Sequence, residues 1–360
     1  MNRVKIKLNV LESSREHFIF THEENKMKES ITIKDVAREL GIHHVTVSRA
    51  LRDTGSVKPE TRELIKKTAS ELGYKPNRLA QDFRNKRSNV LAVVVPDLRP
   101  YFFAKFVSDF MEVAKEEGYS VMIFQTGEKP GVEKDIIDSL IGYRVAGVVA
   151  SVTKDTVHES HFDVLRDESI PYVFFDRSPE EANASQVLVN NFQGAYDAVT
   201  AMIKSGKKRI AYISTHYRHQ IFSDRLAGYK QALEDNNLPF HDSMVVEGGF
   251  FMKDGFAHAE KLMGLEEQPD GILAVRDEIG IGVIKYLKKA GFRVPEDVAV
   301  IGFDNDPMGV ACEPELTTVQ QSIPSMVSGS FELLLEQIKK NTLIIEKKVI
   351  EPKIIFRGSV

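Results

Sequence analysis

Between Val90 and Phe303 the chain keeps returning to one pattern, a short apolar run followed by a longer amphipathic stretch. The runs are Val90–Val95, Val121–Phe124, Val145–Ala150, Tyr172–Phe175, Ile210–Ile213, Ile272–Val275 and Val298–Phe303. They do not alternate apolar with polar residues, as expected of strands covered on both faces of a parallel sheet. Helical periodicity falls near 101–117, 130–141, 192–205, 222–236, 253–263 and 277–290. A β-α repeat of this length constrains the chain to a doubly wound α/β architecture. The runs are too many for one such sheet and predict two similar lobes. Ligands of these folds bind at the carboxyl ends of the strands, which here means the cleft between the lobes.

Residues 31–88 break that pattern. Thr32 and Asp35 have the spacing of a capping box. Ile33, Val36, Ala37 and Leu40 share one helical face, and Gly41 supplies a turn. In the next helix Val47, Ala50 and Leu51 face inward, leaving His43, His44, Val45, Thr46, Ser48 and Arg49 outside. A third helix opens at Val57-Lys58-Pro59-Glu60, with proline where a missing amide costs nothing. Its stripe is Leu64, Ile65, Ala69 and Leu72. This is helix-turn-helix geometry, whose second helix can lie in the major groove of DNA. Imidazole can donate or accept at a base edge, and Val45 can meet a thymine methyl. Residues 31–88 hold 13 Lys+Arg against 7 Asp+Glu; the whole chain is −4, so the remainder carries about −10. A basic head on an acidic body suits phosphate neutralisation by one end only. On spacing and charge alone, a solvated three-helix bundle is the alternative.

Other classes find little support. No run of about eighteen apolar residues is present, so no membrane span is expected. Lys5, Lys7, Glu12 and Arg15 interrupt any signal-peptide core. The one cysteine, Cys312, excludes an internal disulfide framework, fits a reducing cytoplasm and has no implied base. Nucleophile-elbow and phosphate-loop patterns are absent, and Gly280-Ile281-Gly282 lacks the third glycine of a nucleotide fingerprint. Neither catalysis nor a cofactor is expected. His216 and His219 stand three apart without a third ligand and read as exposed loop histidines, so no metal site is expected.

Several polar residues fall where strand ends should place them. Asp97, Asp176, Arg276-Asp277 and Asp304-Asn305-Asp306 each follow an apolar run, and Arg225 opens the helix after Ile210–Ile213. Tyr101, Phe102, Phe103, Phe250 and Phe251 lie nearby in sequence. Carboxylates accept hydroxyl protons, arginine donates and rings cover the apolar face of a sugar, so this set suits a polyhydroxylated ligand. Asp97, Asp277 and Asp306 are equally good candidates for helix N-caps.

Three motifs in order carry a family resemblance: Ile33-Lys34-Asp35-Val36-Ala37, Val45-Thr46-Val47-Ser48-Arg49-Ala50-Leu51, and Gly73-Tyr74-Lys75-Pro76-Asn77-Arg78-Leu79-Ala80. They resemble the head of the LacI/GalR family of bacterial transcriptional regulators. The body resembles that family's periplasmic-binding-protein-like effector domain through Val173-Phe174-Phe175-Asp176-Arg177, Asp224-Arg225-Leu226-Ala227-Gly228-Tyr229, Ala274-Val275-Arg276-Asp277, Val300-Ile301-Gly302-Phe303-Asp304 and Leu316-Thr317-Thr318-Val319-Gln320-Gln321. The resemblance implies an all-α helix-turn-helix head at 31–76, a hinge helix and linker at 77–88, and a two-lobed effector-binding and dimerisation body at 89–360. Residues 1–30 match nothing; they read either as an arm or as sequence ahead of a start at Met27.

By the same resemblance, Thr32, His43, His44, Val45, Thr46, Ser48 and Arg49 contact DNA, joined by Asn77, Arg78 and Ala80 of the hinge. Phe83 stands where a leucine usually wedges into the minor groove. Tyr101, Phe102, Asp176, Arg225, Phe250, Arg276, Asp304 and Gln321 contact the effector. The family often has asparagine at position 276. A guanidinium there favours an acidic or phosphorylated effector, or else pairs with Asp277. The implied function is a cytoplasmic, nucleoid-associated regulator, by the family's usual sign a repressor. Its partners are palindromic double-stranded operator DNA, a sugar-like effector and a second copy of the chain. A sugar-binding protein of transport or chemotaxis, without a role in transcription, is the alternative.

Overall fold

In the computed structural model, residues 31–51, 57–74, 88–215 and 219–360 are described, and they form two compact units, 31–74 and 88–360. The hinge residues Asn77, Arg78, Ala80 and Phe83, together with His216, lie outside the described residues.

The first unit has three helices, α1 (Ile33–Glu39), α2 (His44–Leu51) and α3 (Pro59–Glu71). Each is too short to be stable alone. They close on a small core of Val36, Ala37, Val47, Ala50, Ile65 and Ala69. Thr32 donates from both its amide and its hydroxyl to Asp35 Oδ2, at 2.9 and 2.6 Å, which fixes the start of α1. Those bonds from Thr32 hold the exposed Asp35 carboxyl below its ordinary range. Gly41 turns the chain at φ 61°, a conformation that costs glycine nothing.

The second unit has two six-stranded sheets. The first is ordered β11-β5-β4-β3-β1-β2 and is parallel throughout. Its strands are β1 (Val90–Val95), β2 (Ser120–Gln125), β3 (Gly147–Ala150), β4 (Tyr172–Phe175), β5 (Ser185–Val189) and β11 (Lys347–Ile350). The second is ordered β12-β10-β9-β8-β6-β7, parallel except for β12 (Lys353–Ile355). Its others are β6 (Ile210–Ser214), β7 (Val245–Glu247), β8 (Gly271–Ala274), β9 (Ala299–Phe303) and β10 (Thr317–Gln320).

The packing explains why β1 is apolar at successive positions. Leu91, Val93 and Val95 enter a core with Phe106, Phe110 and Leu334, whereas Ala92 and Val94 enter one with Ile137, Leu140 and Phe162. The first core packs the sheet on α4 (Tyr101–Glu116) and α11 (Ile323–Lys340), the second on α5 (Pro130–Tyr143) and the short α6 (Asp163–Asp167). β2, in contrast, is an edge strand and half exposed, with Ile123 at 40%. The second sheet carries α7 (Asn191–Lys204), α8 (Gln220–Asp235), α9 (Met252–Met263) and α10 (Asp277–Lys289). The chain passes between lobes after β5, after β10 and between β11 and β12.

The glycine pair in Gly280-Ile281-Gly282 has a packing role. A Cβ on Gly282 would stand 2.1 Å from the Met252 carbonyl oxygen, and one on Gly255 2.1 Å from that of Ile279. The backbones of α9 and α10 therefore touch. Gly282→Ala should cost about 1–3 kcal/mol, the usual penalty for overpacking, read as a lower denaturant midpoint with an unchanged slope.

Candidate functional site

In the head, the surface of α2 is set by its first turn. The His43 carbonyl accepts from Thr46 and Val47, and its ring Nδ1 accepts from the Val45 amide at 3.4 Å. His43 thus caps the helix and lies tilted against His44, with ring centroids 4.3 Å apart. His43, Val45 and Arg49 are exposed, and His44 and Thr46 half-exposed. Ser48 departs from expectation. It is only 8% exposed, because its direction on the helix lies beside that of Leu51, towards the core rather than on the open edge. The hydroxyl of Thr32 is already donated to Asp35.

In the body, one cleft of about 1030 Å³ collects Tyr101, Phe102, Asp176, Arg225, Phe250, Arg276, Asp304 and Gln321. These side chains come from both lobes. Arg225 is its buried centre: Nε donates to Asn191 Oδ1 at 2.9 Å, Nη1 to the Val275 carbonyl at 2.6 Å, and the guanidinium lies 3.4 Å from the Phe303 ring centroid. Asp176 is buried beside it at the end of β4. Burial pushes its carboxyl up to about 6, against the pull of the Arg177 and Arg225 charges. Asp304, at the end of β9, accepts from Gln321 Nε2 at 2.6 Å and pairs with Arg276 Nε at 3.3 Å. Gln321 is 3% exposed, and its Oε1 is a buried acceptor without a donor. Such an atom is costly unless a ligand satisfies it. Asp176 and Asp304 both hold positive φ, 58° and 107°. Strain of this kind in side chains that converge on a cleft is typical of functional positions.

The geometry corrects several readings. Arg276 pairs with Asp304, not Asp277, and its charge is thereby partly used, while its guanidinium lies 5.4 Å from the Phe250 centroid. Of the carboxylates read as possible caps, only Asp306 is one, accepting from the Met308 amide at 2.9 Å. Asp97 instead takes up Arg99 in an ion pair of 2.6 Å, and Asp277 is the first residue of α10, not its cap. His219 is buried, not exposed: it caps α8, and burial, with the Arg177 charge second, pushes its imidazole down to about 3.

The sequence reading passed over Glu128, Lys154 and Arg177, which also line the cleft. Arg177 pairs with Glu128 at 2.8 Å, and the Lys154 amide donates to the other oxygen of that carboxylate at 2.8 Å. All three stand within a few residues of the ends of β2, β3 and β4. The strand-end rule would have found them had it been applied to the loops after Phe124 and Ala150 and carried one residue past Asp176.

Asp176 gives the cleft a pH signature. Its folded value lies above the ordinary 3.8, so its contribution to stability is full below about pH 4 and is lost as pH rises through about 6. That displacement corresponds to about 3 kcal/mol at most. A ligand that needs the ionised acceptor should conversely bind more weakly as pH falls from 7 to 5. Calorimetric titration across that range should show the decline, and Asp176→Asn should flatten it.

A helix-turn-helix head joined in one chain to a two-lobed body with a polar cleft defines a DNA-binding regulator. Residues 32–77 match the model described as bacterial regulatory proteins, lacI family, and residues 199–360 match a periplasmic binding protein-like domain. Catabolite control protein A of Priestia megaterium is 30% identical over 92% of this chain and 99% of its own. The HTH-type transcriptional repressor PurR of Vibrio atlanticus (strain LGP32) is 31% identical over 91% and 98%. The chain belongs to the lacI family of bacterial regulatory proteins. Among solved structures it is similar to a transcriptional regulator CelR–cellobiose complex, at 28% identity over 92% of this chain and all of that one, TM-score 0.69. The lac repressor dimer bound to operator and an anti-inducer shares the fold, with TM-score 0.82 at 22% identity over 92% of this chain and 99% of that one.

Proposed function

We propose that the chain is a dimeric repressor whose affinity for a palindromic operator is set by a neutral, sugar-like effector bound in the cleft of the body. The observation that carries the effector class is the polar inventory of the cleft. Asp176 and Asp304 offer carboxylate oxygens, Gln321 Oε1 is a buried acceptor awaiting a donor, and Phe250 presents a ring. Hydroxyl groups satisfy such acceptors, and an aromatic face covers the apolar side of a sugar. Three of the cationic side chains lining the cleft, Arg276, Arg177 and Arg99, are each matched to a carboxylate, Asp304, Glu128 and Asp97, which weighs against a phosphorylated ligand held by those three. The likeness to a regulator crystallised with cellobiose supports the same class.

The DNA reading rests on α2 and the residue before it: His43, Val45 and Arg49 are exposed while Val47 and Ala50 enter the core of the head. The relatives are named as regulators, which supports a non-enzymatic role for this chain as well. Among the described residues no helix is long and apolar enough to cross a membrane. A cytoplasmic site of action follows from the DNA partner. The domain limits 31–76, 77–88 and 89–360 are part of the same proposal, with the hinge entering the minor groove.

A thermal-shift screen tests the effector class. Neutral mono- and disaccharides, uronic acids, sugar phosphates and nucleobases are each added to the full chain. A ligand at a hundredfold excess over its Kd stabilises the native state by about 2.7 kcal/mol. A neutral sugar that raises the melting point supports the proposal, and a response confined to sugar phosphates or nucleobases refutes the neutral class.

A further inference from the structure

Asp277 has no place in the cleft lining, yet it is an acid only 1% exposed, with burial first and the neighbouring Asp304 carboxylate second pushing its carboxyl well up. An acid held under those conditions costs stability that an apolar residue would not. Its contacts show what it does there. One oxygen accepts from the Thr318 hydroxyl at 2.6 Å, and the other accepts from the Asp306 amide at 2.6 Å. Thr318 Oγ1 in turn accepts from the Asn305 amide at 3.2 Å, and the Asp304 amide donates to the Val319 carbonyl at 2.9 Å. Three successive amides, 304 to 306, are thus fixed by β10 and by the start of α10. Within that turn Asp304 and Asn305 hold φ of 107° and 54°, which side-chain-bearing residues seldom adopt. Gly302 makes the arrangement possible: a Cβ there would lie 2.0 Å from Asp277 Oδ1.

We infer that Asp277, acting with Thr318, is the positioning residue that holds Asp304 in its strained, cleft-facing conformation. The inference rests on the reading of Asp304 as an effector contact, and it assigns the cost of the buried acid to geometry at that contact. Asp304 is the group that Gln321 and Arg276 both address, so a turn that relaxes would scatter all three.

Amide hydrogen exchange of the ligand-free full chain tests this, with Thr318→Val and Thr318→Ser compared. Valine keeps the shape of threonine and loses the hydroxyl; serine keeps the hydroxyl and loses buried volume. Positioning predicts exchange at 305 and 306 about tenfold faster in Thr318→Val, the scale of one missing hydrogen bond. Thr318→Ser should match wild type, with strands 299–303 and 317–320 unchanged in both. A packing role alone gives the reverse order, with Thr318→Ser the more perturbed, and that result or equal exchange in all three overturns the inference. Cellobiose affinity of Asp304→Ala judges the cleft reading separately. If wild type binds cellobiose and Asp304→Ala binds it equally well, the effector assignment falls, while exchange at 306, the amide that Asp277 accepts, still decides whether the Asp277–Thr318 pair holds the turn.

Discussion

Arg49→Ala should lower affinity for operator DNA about 5- to 150-fold, the effect of removing 1–3 kcal/mol of base-edge hydrogen bonding. Arg49 lies on the exposed edge of α2, on the opposite side from the Val36–Val47–Ile65 core, so removing it disturbs no packing. The melting temperature and ligand-induced stabilisation of the body should therefore stay as in wild type. The salt dependence carries further information. If Arg49 reads a base, its removal leaves the slope of log affinity against log salt nearly unchanged. If it neutralises a phosphate instead, the slope falls in magnitude by about 1. Fluorescence anisotropy at several salt concentrations reads both quantities, and an unchanged affinity would remove Arg49 from the groove.

Arg225→Ala should abolish the response to effector. The side chain is buried and makes two hydrogen bonds of 2.9 and 2.6 Å within its own lobe. It also lies against Phe303 and faces Asp176 and Asp304. Deleting it leaves Asn191 and the Val275 carbonyl without a donor and two cleft acids with less opposing charge. Breaking a buried charge constellation costs about 3–5 kcal/mol, so the variant should melt earlier while still folding. Arg225→Lys keeps the charge but cannot reproduce the planar fork, and it should recover stability more than it recovers effector affinity. A variant that answered effector as wild type does would break the alignment of this cleft with ligand binding.

How much of this was readable in the chain depends on what each element owes to its neighbours. β1 and β9 were legible because continuous apolar runs have few uses besides a strand covered on both faces. β11 was not, since Lys347-Lys348 on an edge strand looks like a solvated loop until β5 is there to pair with it. α11 was also passed over. Pro324, Ser325, Ser328, Gly329 and Ser330 lower its helical signal, and its stability comes from packing Met326, Val327, Phe331 and Leu334 onto the first sheet. The eight cleft residues fell to a positional rule and a family resemblance. What neither could supply was pairing: that Arg276 meets Asp304, that Arg177 meets Glu128, and that Asp277 turns inward to hold a loop. Those are choices among neighbours made only when strands distant in sequence are brought side by side.

Operator fragments selected from bacterial genomic DNA by the full chain allow the central claim to be measured directly. The measurement is the operator Kd with and without the sugar that stabilises the protein, in wild type and in Arg225→Ala. Coupling between sites of 1–3 kcal/mol is typical, so wild type should show a change of about 5- to 150-fold and Arg225→Ala none. The same operator Kd with and without a sugar that demonstrably occupies the wild-type cleft would contradict the account, because it would leave the cleft and the DNA-binding head uncoupled.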